Sequence, residues 1–170
     1  MVRREKEKIS ALVLTLMVMV LALSPVARNS LALYAGCPWY GRLGYPFVHA
    51  NFIHAFLNCW CFLSVVFHYE ISWKHLMAAY AVAISIPSIL IGGTTVVGAS
   101  GVCFALFGMV AFQVRRKLYY QTWILLALLL GFILPGVASW LHVYCYLGGM
   151  IVGSLTTPIA MLKGGWNGWS

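Results

Sequence analysis

The stretch Gly98-Ala99-Ser100-Gly101-Val102-Cys103-Phe104-Ala105-Leu106-Phe107-Gly108 decides how the chain is read, because a serine between two glycines opens a run that carries no charge. The run extends to about residue 114, short for a membrane crossing, and access to its first turn from a water-filled cavity accounts for that length. Around it lie five longer apolar runs, at about 10 to 27, 50 to 69, 73 to 91, 119 to 135 and 138 to 161. Each is near the roughly 17 to 25 helical residues that a hydrocarbon core of about 30 Å requires. The chain is 62% hydrophobic and 8% charged with a mean hydropathy of +0.90, against about a quarter charged in a soluble domain. The expected fold is therefore an all-α, polytopic bundle of six transmembrane helices, one membrane domain over residues 1–170. Arg3, Arg4, Lys6 and Lys8 before the first run resemble the start of a signal peptide. No small-x-small cleavage site follows, and Ser24-Pro25 reads as a helix end, so a retained span is expected.

Charge sets the orientation. If every run crosses, Arg3, Arg4, Lys6, Lys8, Lys74, Arg115, Arg116, Lys117 and Lys163 fall on one side, and only Arg28 and Arg42 of the eleven basic residues fall on the other. The positive-inside rule makes the richer side cytoplasmic, with both termini there. The formal charge of +8 is then a topology signal and an attraction to anionic lipid headgroups, with no nucleic-acid patch in it. Tyr34, Trp39, Tyr40 and Tyr45 read as aromatics of the first outer loop, about 28 to 46; Trp73, Tyr119, Tyr120, Trp166 and Trp169 read as the inner belt.

This topology brings polar residues of three runs to one depth. Ser100 starts the fourth span, His142 lies near the outer end of the sixth, and His54 and Asn58 lie in the outer third of the second. Polar side chains are costly in a bilayer, so their common level points to one site. Elimination narrows its chemistry. The only acids, Glu5, Glu7 and Glu70, lie at or beyond the cytoplasmic boundary, which excludes an aspartyl mechanism. His49 and His54 are five apart without an intervening Glu, about 140° apart on a helix, and do not match the H-E-x-x-H zinc pattern. No metal site and no cofactor are expected. Serine with histidine remains, as a dyad, since no Asp is available to orient His142. Val102 also departs from the G-x-S-x-G elbow of soluble hydrolases. Glycines flanking Ser100 admit close approach of other backbone, and the free N–H groups of a helix start can bind an oxyanion.

Three blocks together, His49-x4-His54-x3-Asn58, Gly98-x-Ser100-Gly101 with Phe104-Ala105-Leu106-x-Gly108, and His142 followed by glycines, make the chain resemble the rhomboid family of intramembrane serine proteases from about Tyr45 to Gly153. The resemblance implies Ser100 as nucleophile, His142 as general base and then general acid, and an oxyanion hole of His54, Asn58 and the Ser100 N–H. His49 is implied as a brace of the outer loop. Gly98, Gly101, Phe104, Gly149 and Gly153 are expected as structural neighbours. A compact six-span form in a bacterial cytoplasmic membrane, acting on transmembrane protein substrates without a cofactor, completes what it implies.

Two positions depart from the family pattern. Cys145 stands where a glycine is usual three residues after the histidine, and Arg42 lacks a preceding Trp. A thiol is still small, so close packing of the sixth span on Gly101, Ala105 and Gly108 is expected to survive. The rival readings are a catalytically inactive relative that binds client helices and a small transporter. Intact Ser100 and His142 oppose the first, and polar residues confined to one depth oppose the second. His68 and His75 flank an inner loop and read as interfacial. Of five cysteines, Cys37 alone lies on the outer side, and Cys59, Cys61, Cys103 and Cys145 read as small buried hydrophobes. Cysteine-accessibility mapping is expected to find the Arg115-Arg116-Lys117 loop and both termini cytoplasmic and residues 28–46 outside. An outward-facing Arg115 loop would remove the shared depth of the four polar residues.

Overall fold

The computed structural model describes residues 2–22 and 24–156, and those residues form helices α1 (Val2–Leu21), α2 (Pro25–Leu31), α3 (Trp39–Gly44), α4 (Phe52–His68), α5 (Trp73–Ile84), α6 (Ser88–Ile91), α7 (Ser100–Val110), α8 (Lys117–Ile133) and α9 (Ser139–Thr156). A 3-10 turn, Tyr45–Phe47, follows α3. The only sheet-like pairing among the described residues is the isolated antiparallel bridge of Leu33 with Val96. No single described helix is long and apolar enough to cross a membrane by itself. Two bent pairs have the length and composition together: Lys8–Leu21 with Pro25–Leu31, bent by 103°, and Trp39–Phe47 with Phe52–His68, bent by 80°.

Several expected boundaries are corrected. The run from 10 to 27 is not one helix, because α1 ends at Leu21 and α2 starts at Pro25. Proline has no N–H to continue the α1 ladder, and the Ser24 hydroxyl instead accepts from Ala27 N at 3.3 Å and caps α2. The run from 73 to 91 breaks at Pro87, which separates α5 from the single turn of α6. The fourth run ends at Val110, not near 114. The second and fifth runs become α4 and α8 with ends shifted by about two residues. The sixth becomes α9; its expected end at 157–161, and with it Lys163, Trp166 and Trp169, lie outside the described residues. The stretch expected as the first outer loop, about 28 to 46, contains the end of α2, α3 and the start of the 3-10 turn.

Local chemistry explains the starts. Asn51 Oδ1 accepts from His54 N at 2.8 Å and caps α4. Ser72 and His75 form a capping box on α5, so His75 has a definite structural role beyond its interfacial position. Pro135 and Gly136, the latter at φ +76°, follow the end of α8.

Helix α7 is the centre of the bundle. None of its residues is exposed, and α4, α5 and α9 pack around it. A helix that is apolar on every side requires such a wall. At about 1.5 Å per residue its eleven residues span only about 16 Å, which neighbours such as α9, with eighteen residues, enclose. Elsewhere apolar surface faces outward: Leu125, Leu129 and Ile133 of α8 and Ile53, Leu57 and Trp60 of α4 are all more than half exposed.

The tightest contact in the bundle is between α7 and α9. A Cβ added to Gly149 would run into the backbone of Ala105, one at Gly108 into Tyr146 O, and one at Gly153 would lie 2.6 Å from Met109 O. Backbones approach this closely only where side chains are absent. Gly149→Val is expected to lower the thermal unfolding temperature of the purified protein in detergent, since overpacking a filled contact costs about 1–3 kcal/mol even where side chains can yield. An unchanged unfolding temperature would mean that α9 can swing away from α7 freely.

Candidate active site

Ser100 is the first residue of α7, after Ala99 in the N-cap position. Its amide belongs to the first turn, whose N–H groups have no acceptor within the helix. The turn into α7 is made by Gly98 at φ +114°, a conformation that side chains with a Cβ rarely adopt. Leu33 N donates to Val96 O at 2.9 Å and Val96 N to Leu33 O at 2.8 Å, tying this segment to the chain after α2.

His142 is in the first turn of α9, and its Nε2 lies 2.9 Å from Ser100 Oγ. For the hydroxyl to donate, the neutral imidazole must carry its proton on Nδ1. The ring stacks on Phe104, one turn below Ser100, with centroids 4.5 Å apart and planes 19° from parallel. The aromatic face restricts the plane of the imidazole ring. Both Ser100 and His142 are partly buried.

His54 and Asn58 converge above Gly98. A Cβ on Gly98 would lie 3.0 Å from His54 Nε2 and 3.1 Å from Asn58 Nδ2, so the glycine leaves the space that both side chains face. Residues i and i+4 of α4 share that face. Asn58 is 8% exposed, yet its Nδ2 has no hydrogen-bond partner. It borders a mainly apolar cleft of about 340 Å³, whose walls also include Thr15, Phe62, Leu76 and Ala99. Cys103 Sγ donates to Asn58 O at 3.4 Å, which ties this turn of α4 to α7.

His49 is 1% exposed, and its Nε2 accepts from Ala99 N at 3.2 Å. It therefore holds the 92–99 segment that leads into Ser100. Its ring lies edge-on to that of His54, centroids 5.1 Å apart. Gly101 faces Cys145, with 3.3 Å from a notional Cβ to Sγ. Gly149 and Gly153 lie further along the α7–α9 seam, two and three turns past His142, against the backbone of Ala105 and Met109.

Tyr45 corrects an expectation. It is completely buried, not an outer interfacial ring: its carbonyl accepts from Gly98 N at 2.9 Å and its hydroxyl donates to Ala83 O at 3.0 Å. In sequence an aromatic in an outer segment reads equally well as an interface anchor. Only its position four residues before His49, on the same approach to α4, distinguishes it.

The sequence model of one protein family, described as Rhomboid domain, matches residues 36–161. The match spans every residue of the site, from His49 to His142. No curated protein matches the chain. No solved structure matches it either.

The Cys145 contact provides a test of the dyad's support. Cys145→Gly is expected to keep full activity, and Cys145→Leu to lose on the order of 100-fold, because a displacement of about 1 Å is enough for such a loss. Turnover and melting temperature of both variants check this; an active, stable Cys145→Leu protein would mean that the contact with Gly101 does not position His142.

Proposed function

The chain belongs to the rhomboid family, which makes it an integral membrane protein built of helices, and on that premise we propose that it is an intramembrane serine endopeptidase. It cuts membrane-spanning protein substrates near the outer face of a bacterial cytoplasmic membrane, as one domain over residues 1–170 with six spans and both termini cytoplasmic. The observation that carries the reading is the 2.9 Å contact of Ser100 Oγ with His142 Nε2 beneath two side chains that converge on Gly98.

The chemistry follows from the groups. Ser100 Oγ attacks the substrate carbonyl carbon as its proton passes to His142 Nε2. Negative charge on the former carbonyl oxygen is met by three donors: the Nδ2 of Asn58, which is otherwise unpartnered, His54 Nε2 in its protonated tautomer and the Ser100 N–H. His142 then returns the proton to the leaving amine as the peptide C–N bond breaks, which leaves an acyl ester on Ser100. Water, deprotonated by His142, attacks the ester, and the proton goes back to Ser100 Oγ. The substrate helix must unwind locally to present a peptide bond, and water must reach the outer end of α7. Nucleophile, base and oxyanion donors are all protein groups, so the reaction requires no cofactor.

Labelling with a fluorophosphonate is expected for the wild type and absent for Ser100→Ala, with cleavage of a transmembrane substrate lost in Ser100→Ala and His142→Ala alike, because the two residues act as a unit. Asn58→Ala is expected to lower turnover per folded molecule by about 10- to 1000-fold with little change in KM. A wild type that binds substrate helices but neither labels nor cleaves would be the inactive, client-binding relative. If Asn58→Ala alters melting temperature alone, the residue joins helices and takes no part in the chemistry.

A further inference from the structure

The segment that delivers Ser100 is irregular from Gly92 to Ala99 and takes its shape from what holds it. Tyr45 touches it on both sides of the serine. Its carbonyl accepts from Gly98 N at 2.9 Å, and its hydroxyl oxygen lies where Gly101 leaves room, 3.1 Å from a notional Cβ. Gly98, two positions before Ser100, and Gly101, one after it, are thus set against one completely buried residue.

Tyr45 is itself fixed from the end of α5. Its hydroxyl donates to Ala83 O at 3.0 Å. Three residues earlier, Arg42 Nη1 donates to Ile84 O at 3.1 Å and to Ile86 O at 2.5 Å, and Nη2 donates to Ser88 Oγ at 3.1 Å. Tyr80 Oη donates to Leu43 O at 2.7 Å between them. The last carbonyls of a helix lack intrahelical donors and carry partial negative charge, so a guanidinium satisfies them and is favoured there electrostatically. Its planar, multiple donors suit several acceptors at once. Pro87 lacks the N–H that would reach back four residues to Ala83 O, which leaves that carbonyl free for the Tyr45 hydroxyl.

We propose that Arg42 and Tyr45 form a brace that fixes the position of Ser100 from the outer end of α5, and that both are positioning residues for catalysis. The proposal rests on Ser100 being the nucleophile. The brace acts through the 3-10 turn: Arg42 pins α3 to the α5 terminus, the turn carries Tyr45 inward, and the Tyr45 carbonyl sets the Gly98 peptide from which α7 begins. Releasing Arg42 lets the turn move relative to α5 and shifts Ser100 relative to His142, which is held independently by the seam of α9 with α7. A loss in the chemical step with little loss in substrate binding is the result.

Arg42→Gln, Arg42→Lys and Tyr45→Phe, measured beside the wild type, test this. Arg42→Gln is expected to lower kcat by about 10- to 100-fold with KM within about twofold, as misplacement of reacting groups does. Arg42→Lys, which keeps a cation at the carbonyls, is expected to recover part of the loss, and Tyr45→Phe to fall between wild type and Arg42→Gln. The rate of fluorophosphonate labelling should fall in parallel with kcat while the final stoichiometry stays that of the wild type. Hydrogen exchange in the Ser100→Ala background gives a readout independent of catalysis: Arg42→Gln should speed exchange in residues 92–99 and leave α9 protected. Normal labelling rates and unchanged exchange in 92–99 would overturn the brace. So would a fall in melting temperature with kcat per labelled site unchanged, since that is a purely structural staple. A wild type that never labels at Ser100 overturns the protease reading instead, and the exchange result still decides whether Arg42 holds the segment.

Discussion

The α7–α9 seam is the constraint on which the rest of the structure depends. Gly101 faces Cys145, Ala105 faces Gly149 and Met109 faces Gly153, three pairs each 44 residues apart in sequence. A constant offset at every fourth position means two parallel helices in one register. A slide by one residue would bring a side chain into a space that admits only hydrogen or a thiol. Parallel neighbours need a crossing segment between them, which α8 supplies. The register also brings the first turns of the two helices level, so Ser100 meets His142 without either being held by its own charge partner.

The site combines this rigid seam with parts that are held from the side. Ser100 and His142 belong to regular helix, as do His54 and Asn58, and regular helix holds a side chain precisely. The approach to Ser100 is different. It rests on hydrogen bonds to His49, Tyr45 and Leu33, all from the chain between α2 and α4. Arg28 ties α2 to that same stretch through Ala50 O at 2.9 Å. The segments between α2 and α4 therefore form a small scaffold of their own beside the bundle, attached to α5 at one edge.

The candidate site residues were legible because bilayer-buried polar groups are few and helical spacing is regular. Ser100 between glycines, His142 alone in its run and His54 with Asn58 one turn apart stand out against an apolar background. The small-residue seam was legible for the same reason, as a periodic absence of side chains. Pro25 and Pro87 mark breaks, but proline fixes only where a ladder stops; the 103° bend after α1 depends on tertiary packing that no local pattern contains. The contacts of Arg42 and Tyr45 were not legible. Their partners are backbone carbonyls of α5 and the amide of Gly98, and backbone leaves no signature of residue type in a sequence. Helix α3 is likewise too short for a hydrophobic period to appear.

At Asn58 the demands of folding and of hydrogen bonding diverge. The Asn58 amide is desolvated and its nitrogen has no partner, a state that costs about 1–3 kcal/mol relative to a satisfied donor. A side chain of similar size without polar atoms would avoid that cost, so folding alone does not favour asparagine at this position. An acceptor that came within reach of this nitrogen would relieve that cost. Stability and responsiveness at Asn58 are therefore opposed quantities, and a sequence optimised for thermal endurance would drift away from asparagine here unless something other than folding kept it.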